Sequence, residues 1–132
     1  TIKLDENRQK IYGLERINYQ QEIFVVEGPI DSLFIDNSIA AAGADLKSLR
    51  TDINNVTYIF DNEPRNKEIV KRMYEAVERD YKIVIWPDTI TQKDINEIIQ
   101  SGVSKDELQT IISTNTFSKL EALTRLNAYK RI

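Results

Sequence analysis

Four short apolar runs, three of them followed by a helical pattern, constrain the fold of this chain more than any other feature. Glu22-Ile-Phe-Val-Val-Glu27 is the first, and Gly28-Pro29 ends it. Ser38-Ile-Ala-Ala-Ala-Gly43 is the second. Val56-Thr-Tyr-Ile-Phe60, closing on Asp61, is the third, and Lys82-Ile-Val-Ile-Trp86 is the fourth. Runs this short and rich in β-branched and aromatic residues read as strands. Strands that are apolar throughout, rather than alternating, are buried on both faces, which indicates a parallel sheet with helices on either side. Pro29, with Ile30, Leu33 and Phe34 behind it, predicts a helix over 29–37. Pro64 opens the longest helix, over 65–80, where Ile69, Val70, Met73, Ala76 and Val77 keep the spacing of one apolar face. Further helices are expected near 92–101, 104–113 and 117–129. Residues 1–21 are polar, with Ile11, Tyr12, Leu14 and Ile17 as their apolar cluster, and read as a lead-in segment. The expected fold is thus α/β, Rossmann-like, with a mostly parallel four-stranded sheet flanked by helices on both faces.

The 132 residues suffice for one domain with a real core. Apolar residues make up 41% and charged residues 30%, an ordinary globular composition. No apolar run approaches the roughly 20 residues that span a bilayer. The first residues, Thr1-Ile2-Lys3-Leu4-Asp5, show no signal-peptide pattern and no initiating Met, as expected of a piece of a longer protein. The chain has no Cys and no His. That excludes disulfides, the usual zinc sites, haem ligation through His, the Ser-His-Asp triad and thiol catalysis. It also fits a reducing cytoplasm. A metal site here must use oxygen ligands, which points to Mg²⁺, Mn²⁺ or Ca²⁺. The net charge of −3, from 18 basic and 21 acidic residues, does not by itself mark a nucleic-acid binder.

The placement of carboxylates carries the functional signal. Glu27 closes the first strand, and Asp61 and Glu63 follow the third. Ligands of open parallel sheets bind beyond the carboxyl ends of the strands, so both motifs reach one edge if their strands are neighbours. The i, i+2 spacing of Asp61 and Glu63 puts them on one side of an extended backbone. Converging carboxylates raise each other's pKa, and a divalent cation relieves the repulsion. Taken singly, each residue has a bland structural reading. Glu27 is then a solvated strand end, Asp31 favours the positive end of a helix, and Asp61-Asn62-Glu63-Pro64 is a helix start. Asp94 has one as well: Thr91-x-x-Asp94 has the form of a capping box, as do Ser104-x-x-Glu107 and Ser118-x-x-Glu121.

Taken together, these residues resemble a known family. Val26-Glu27-Gly28-Pro29-Ile30-Asp31-Ser32-Leu33 resembles the first motif of TOPRIM domains, a strand ending in Glu-Gly with an Asp three residues on. Ile39-Ala-Ala-Ala-Gly43-Ala44 resembles the next segment. Phe60-Asp61-Asn62-Glu63 resembles the family's Asp-x-Asp motif, with Glu63 for the second Asp and Pro64-Arg65-Asn66 where the family carries a Gly. Lys10-Ile-Tyr-Gly-Leu14 is similar to a segment preceding the motif in replicative primases. Trp86-Pro87-Asp88 with Lys93-Asp94-Ile95-Asn96-Glu97-Ile98 is similar to a later one. The resemblance spans residues 10–100.

The resemblance implies the catalytic module of a phage or bacterial DNA primase, a nucleotidyltransferase that makes RNA primers in DNA replication. It implies a TOPRIM domain over 22–102, a lead-in from a preceding subdomain over 1–21 and a helical extension over 103–132. Glu27, Asp61 and Glu63 become the catalytic and metal-binding residues, with Mg²⁺ or Mn²⁺ as cofactor. Gly28, Asp31 and Asp94 become supporting residues. Arg65 and Lys67 are the candidates for phosphate or nucleic-acid contact. A solvated helix face, with Glu68–Arg72 and Glu75–Arg79 pairs, is the alternative reading of that basic segment. The implied partners are a single-stranded DNA template, nucleoside triphosphates and the replicative helicase, with no membrane. The implied location is the cytoplasm, of the host if phage-encoded. The module is expected to be inactive alone. Two other readings stand beside it: a TOPRIM nuclease or topoisomerase module, and a non-catalytic DNA or replisome interaction module.

Overall fold

In a computed structural model, residues 13–41 and 55–132 are described. The tyrosine of the Lys10-Ile-Tyr-Gly-Leu14 segment and the expected glycine turn at Gly43 lie outside them. The elements in order are β1 (Ile23–Val26), α1 (Pro29–Ser32), β2 (Ser38–Ala40), β3 (Val56–Ile59), α2 (Lys67–Glu78), β4 (Lys82–Val84), α3 (Ile95–Gln100), α4 (Lys105–Thr114), β5 (Thr116–Phe117) and α5 (Lys119–Tyr129). A short 3₁₀ turn, Leu14–Arg16, precedes them.

Among the described residues the sheet has five strands, where four were expected, in the order β2-β1-β3-β4-β5. The fifth is a two-residue strand, too short to show as an apolar run, that pairs antiparallel with β4 (Ile83 opposite Phe117). The other pairings are parallel, as expected. Val25 lies opposite Ile39 on one side and Tyr58 on the other, and Tyr58 lies opposite Ile83. The chain leaves β1 for β2 on one side, then crosses to β3 on the other. The strand order therefore reverses between β1 and β3, the place where open α/β sheets open a crevice for ligands.

Alternate residues of each strand face opposite sides of the sheet, and two apolar clusters follow among the described residues. The larger holds Val26, Ile59, Ile83, Val84 and Trp86 with Met73 of α2, Ile98 of α3, Leu108 and Ile112 of α4, and Ala122, Leu126 and Tyr129 of α5. The smaller holds Val25, Ile39, Ala41 and Val56, with Ile17 of the lead-in packed against it. At the amino-terminal ends of the strands, Glu22 accepts from Thr57 (2.5 Å) and pairs with Lys82 (2.8 Å).

Several elements are shorter than their sequence patterns. The helix expected over 29–37 stops at Ser32, where the N–H groups of Leu33, Phe34 and Ile35 turn to carbonyls three residues back, and the Ser38 hydroxyl binds the carbonyls of Ser32 and Ile35. The helix expected over 65–80 begins at Lys67, because the Asn66 side chain accepts from the backbone N–H groups of Glu68 and Ile69 (3.0 and 3.1 Å). β4 spans Lys82–Val84, two residues short of the expected run, and the Ile85 amide bonding the Asn115 carbonyl (2.9 Å) is the last bond of its ladder with β5.

Candidate functional site

Glu27 and Asp61 stand just beyond the carboxyl ends of β1 and β3, which are hydrogen-bonded neighbours with Val26 opposite Ile59. The condition set by the sequence is met, and both carboxylates flank the reversal of strand order. Burial pushes the Glu27 carboxyl above its ordinary range, against the pull of Arg72. The Arg72 guanidinium forks onto Glu27, with Nη2 at 3.2 Å from Oε1 and Nη1 at 3.3 Å from Oε2. Arg72 also lies over the Phe60 ring, 5.8 Å from its centroid. Its Nε is buried with no hydrogen-bond partner.

Asp61 is pushed up to about 7, first by burial and then by Glu27, Asp31, Asp94 and Glu63. Four carboxylates thus act on a fifth, which makes this edge strongly acidic among the described residues. Asp31, in the short α1, is buried, and burial raises it too. Its Oδ1 accepts the backbone N–H of Asn96 (3.1 Å), which ties the loop after β1 to the start of α3. Asp94 caps α3 by accepting from Glu97 (2.9 Å). It is the cap itself, not the third residue of a box opened by Thr91, because Ile95 is the first helical residue. Glu63 is half-buried and follows a tight turn in which its N–H bonds the Asp61 carbonyl (2.9 Å).

Gly28 has an ordinary extended φ of −123°, and an added Cβ would meet only Asp31 Oδ2, at 3.7 Å. Backbone strain therefore does not call for a glycine here. Arg65 and Lys67 are exposed at the start of α2. The basic side chain that engages the acidic edge is Arg72, for which the sequence suggested a helix-face pair with Glu68. The signal was present: Arg72 is three residues beyond Ile69 and next to Met73, so it borders the apolar face of α2. Trp86 is buried and donates its indole N–H to the Phe60 carbonyl (2.8 Å), a core role. Tyr81 packs edge-on against Tyr58.

Among the described residues, no three carboxylates stand close enough to form a ligand set. Glu27 is held by Arg72, Asp31 by Asn96 and Asp94 by its own helix. The donor chemistry nonetheless fits a hard divalent ion. Mg²⁺ takes about one or two carboxylates and keeps its waters. Asp61, whose ionisation is opposed by every neighbouring acid, gains from a cation beside it.

The whole chain aligns with a protein of related sequence. It is similar to the DNA primase of Enterobacteria phage T4. The identity is 35% over 136 aligned positions, covering 100% of this chain and 39% of that primase. The chain is thus primase-related in sequence and spans well under half the length of that relative. No protein-family model matches it. No helix among the described residues is long and apolar enough to cross a membrane.

Proposed function

We propose that this chain is the TOPRIM-type metal-binding module of a DNA primase. The observation that carries the reading is the meeting of Glu27 and Asp61 at the β1/β3 reversal, in a chain 35% identical to a phage DNA primase. Asp61 and Glu63, with Glu27 beside them, are the residues that would hold Mg²⁺ or Mn²⁺. Such an ion supplies charge neutralisation at phosphate oxygens. The reaction is nucleotidyl transfer, in which a primer 3′-hydroxyl attacks the α-phosphate of a nucleoside triphosphate and pyrophosphate leaves. In the bare site Asp61 keeps its proton up to about 7, first because of burial and then because of its acidic neighbours, so a divalent ion bound there would displace that proton. Arg72 orients the Glu27 carboxylate through its two-point contact. Asp31 and Asp94 fix the loops on either side. The template strand, the nucleotides and a replicative helicase are the partners of the complete protein, in which residues 22–102 form the module and 103–132 its helical extension.

The test has two parts. Titration of the chain with Mn²⁺, followed by amide NMR, should broaden signals around Glu27, Asp61 and Glu63, and Asp61→Asn should abolish the effect. In the full-length protein, Asp61→Asn should cut primer synthesis on a single-stranded template at least 100-fold, the scale of losing a main electrostatic contributor. No binding at millimolar Mn²⁺ would refute the metal site. Strand cleavage without synthesis would instead assign the module to a nuclease.

A further inference from the structure

Asn62 lies between the two acidic residues of the Asp61-x-Glu63 motif, and its side chain faces away from them into the fold. Its Nδ2 donates to two carbonyls, those of Ile90 and Gln92, both at 3.0 Å. Its Oδ1 accepts the hydroxyl of Tyr129 at 3.0 Å. Its backbone N–H donates to the Lys93 carbonyl at 2.5 Å. Both amide protons and the amide oxygen are therefore engaged. Two residues on, the Pro64 carbonyl accepts from the backbone of Arg131 (2.8 Å). The loop after β3 is thus fastened on one side to the segment leading into α3 and on the other to the end of α5.

The fastening acts where direction matters. Asn62 is the middle residue of the tight turn closed by Glu63 N–H and the Asp61 carbonyl, so pinning it fixes how both flanking carboxylates leave the backbone. The segment it holds runs directly into Asp94 and Asn96, and Asn96 holds Asp31. One amide thereby sets the β3 acids against the Asp31–Asp94 pair. Tyr129 is well placed to be its partner. It is 9% exposed, on the inner face of α5 with Ala122 and Leu126. Burial also pushes its hydroxyl above the ordinary range, so it stays a donor at any working pH.

We propose that Asn62 is a positioning residue for the acidic site, and that Tyr129 ties that positioning to the C-terminal helix. This inference rests on the reading that Asp61 and Glu63 hold a divalent ion. The hydroxyl–amide bond orients them, and a slack bond leaves the site formed but misdirected.

The test compares the wild-type chain with Tyr129→Phe, Asn62→Ala and Leu126→Val. Mn²⁺ affinity is read from the EPR signal of the free ion, and stability from thermal unfolding. Tyr129→Phe keeps the ring and removes the one hydroxyl, so it should fold and bind Mn²⁺ about fivefold or more weakly, the scale of one hydrogen bond. Asn62→Ala should weaken binding further. Leu126→Val, about one turn earlier on the same helix, should lower the melting temperature and leave the affinity of the folded chain unchanged. If wild type binds and Tyr129→Phe binds equally well, the positioning role is wrong while the metal site stands. If affinity tracks stability across all three variants, the role is merely structural and the inference is likewise overturned. If wild type does not bind at millimolar Mn²⁺, the metal-site reading falls and takes this inference with it.

Discussion

Asp61 concentrates the electrostatics of the acidic edge, and its protonation has a definite sign. Its carboxyl moves from an ordinary 3.8 to about 7, by burial first and then by Glu27, Asp31, Asp94 and Glu63. An acid raised in this way binds more protons folded than unfolded. Its contribution to stability is therefore complete below about 3.8 and lost as pH rises through about 7. Burial shifts Glu27 and Asp31 the same way. Without metal, the chain should lose stability from pH 4 to pH 7. Asp61→Asn should flatten that slope, matching wild type near pH 4 and exceeding it by about 1–2 kcal/mol at pH 8. That figure is discounted from ~1.4 kcal/mol per pKa unit because the site is half-open to water. Urea unfolding at pH 4, 6 and 8 decides it, and equal stability at pH 8 would mean that the carboxylates relax apart. Arg72 has the opposite effect on its neighbours. Arg72→Met keeps the packing on Phe60 but removes the charge that competes for Glu27. Stability should fall by about 1–2 kcal/mol for a half-buried ion pair, while Mn²⁺ binding tightens about threefold or more. Calorimetric titration checks the second effect: unchanged binding would show that Glu27 takes no part, and weaker binding that the orienting contact of Arg72 outweighs its competition for Glu27. The strand-end carboxylates were legible in the sequence because position along the chain fixes them. The Glu27–Arg72 contact was not, because it joins residues 45 apart across the sheet and α2.

The helix starts show why element boundaries were less legible than element types. Ser104-x-x-Glu107 and Ser118-x-x-Glu121 are the same pattern in sequence. At α4 both halves of the capping box form, with Glu107 N–H to Ser104 Oγ at 3.1 Å and Ser104 N–H to Glu107 Oε1 at 3.0 Å. At α5 the Ser118 side chain makes no cap bond, and Lys119 behind it stands at a positive φ of 53° that turns the first peptide away from the hydroxyl. Residue type sets the opportunity for a cap, and the local backbone decides whether it is taken. Ser104→Ala should cost about 1 kcal/mol, and Asp94→Ala a similar amount from α3, whereas Ser118→Ala should cost under about 0.3 kcal/mol. Melting temperatures resolve the contrast, since 1 kcal/mol corresponds to roughly 3–6 °C in a chain of this size. Equal losses at Ser104 and Ser118 would contradict the difference between the two helix starts. The strand signal was sounder: all four apolar runs became strands within two or three residues of their expected ends. The fifth escaped notice because Thr116-Phe117 owes its strand geometry to β4 rather than to a pattern of its own.

At the scale of the whole molecule, α5 is bound into the same core that carries the candidate site. Ala122 and Leu126 are fully buried, and they share one apolar cluster with Val26 and Ile59 of the two strands that present Glu27 and Asp61. α5 packs against α2, β4 and β5, and the Tyr74 hydroxyl of α2 also bonds Asn127. In sequence, residues 103–132 read as an extension laid on a finished domain, because helical spacing shows that a face is apolar without showing what covers it. The packing makes a different expectation: strands and C-terminal helix should melt together. Leu126→Ala should cost about 2–5 kcal/mol, the range for emptying a buried leucine site. The loss should fall on the entire fold, since a cluster shared by all these elements leaves no natural seam. Unfolding in urea, followed by Trp86 fluorescence and by far-ultraviolet circular dichroism, should therefore give coincident transitions in wild type and in the variant, both shifted to lower urea by the substitution. Trp86 bonds the Phe60 carbonyl directly before Asp61, so its signal reports the strand edge, while circular dichroism reports mainly the helices. An early helical transition that leaves the Trp86 signal native would show that α5 is a separable layer and that the acidic edge stands without it.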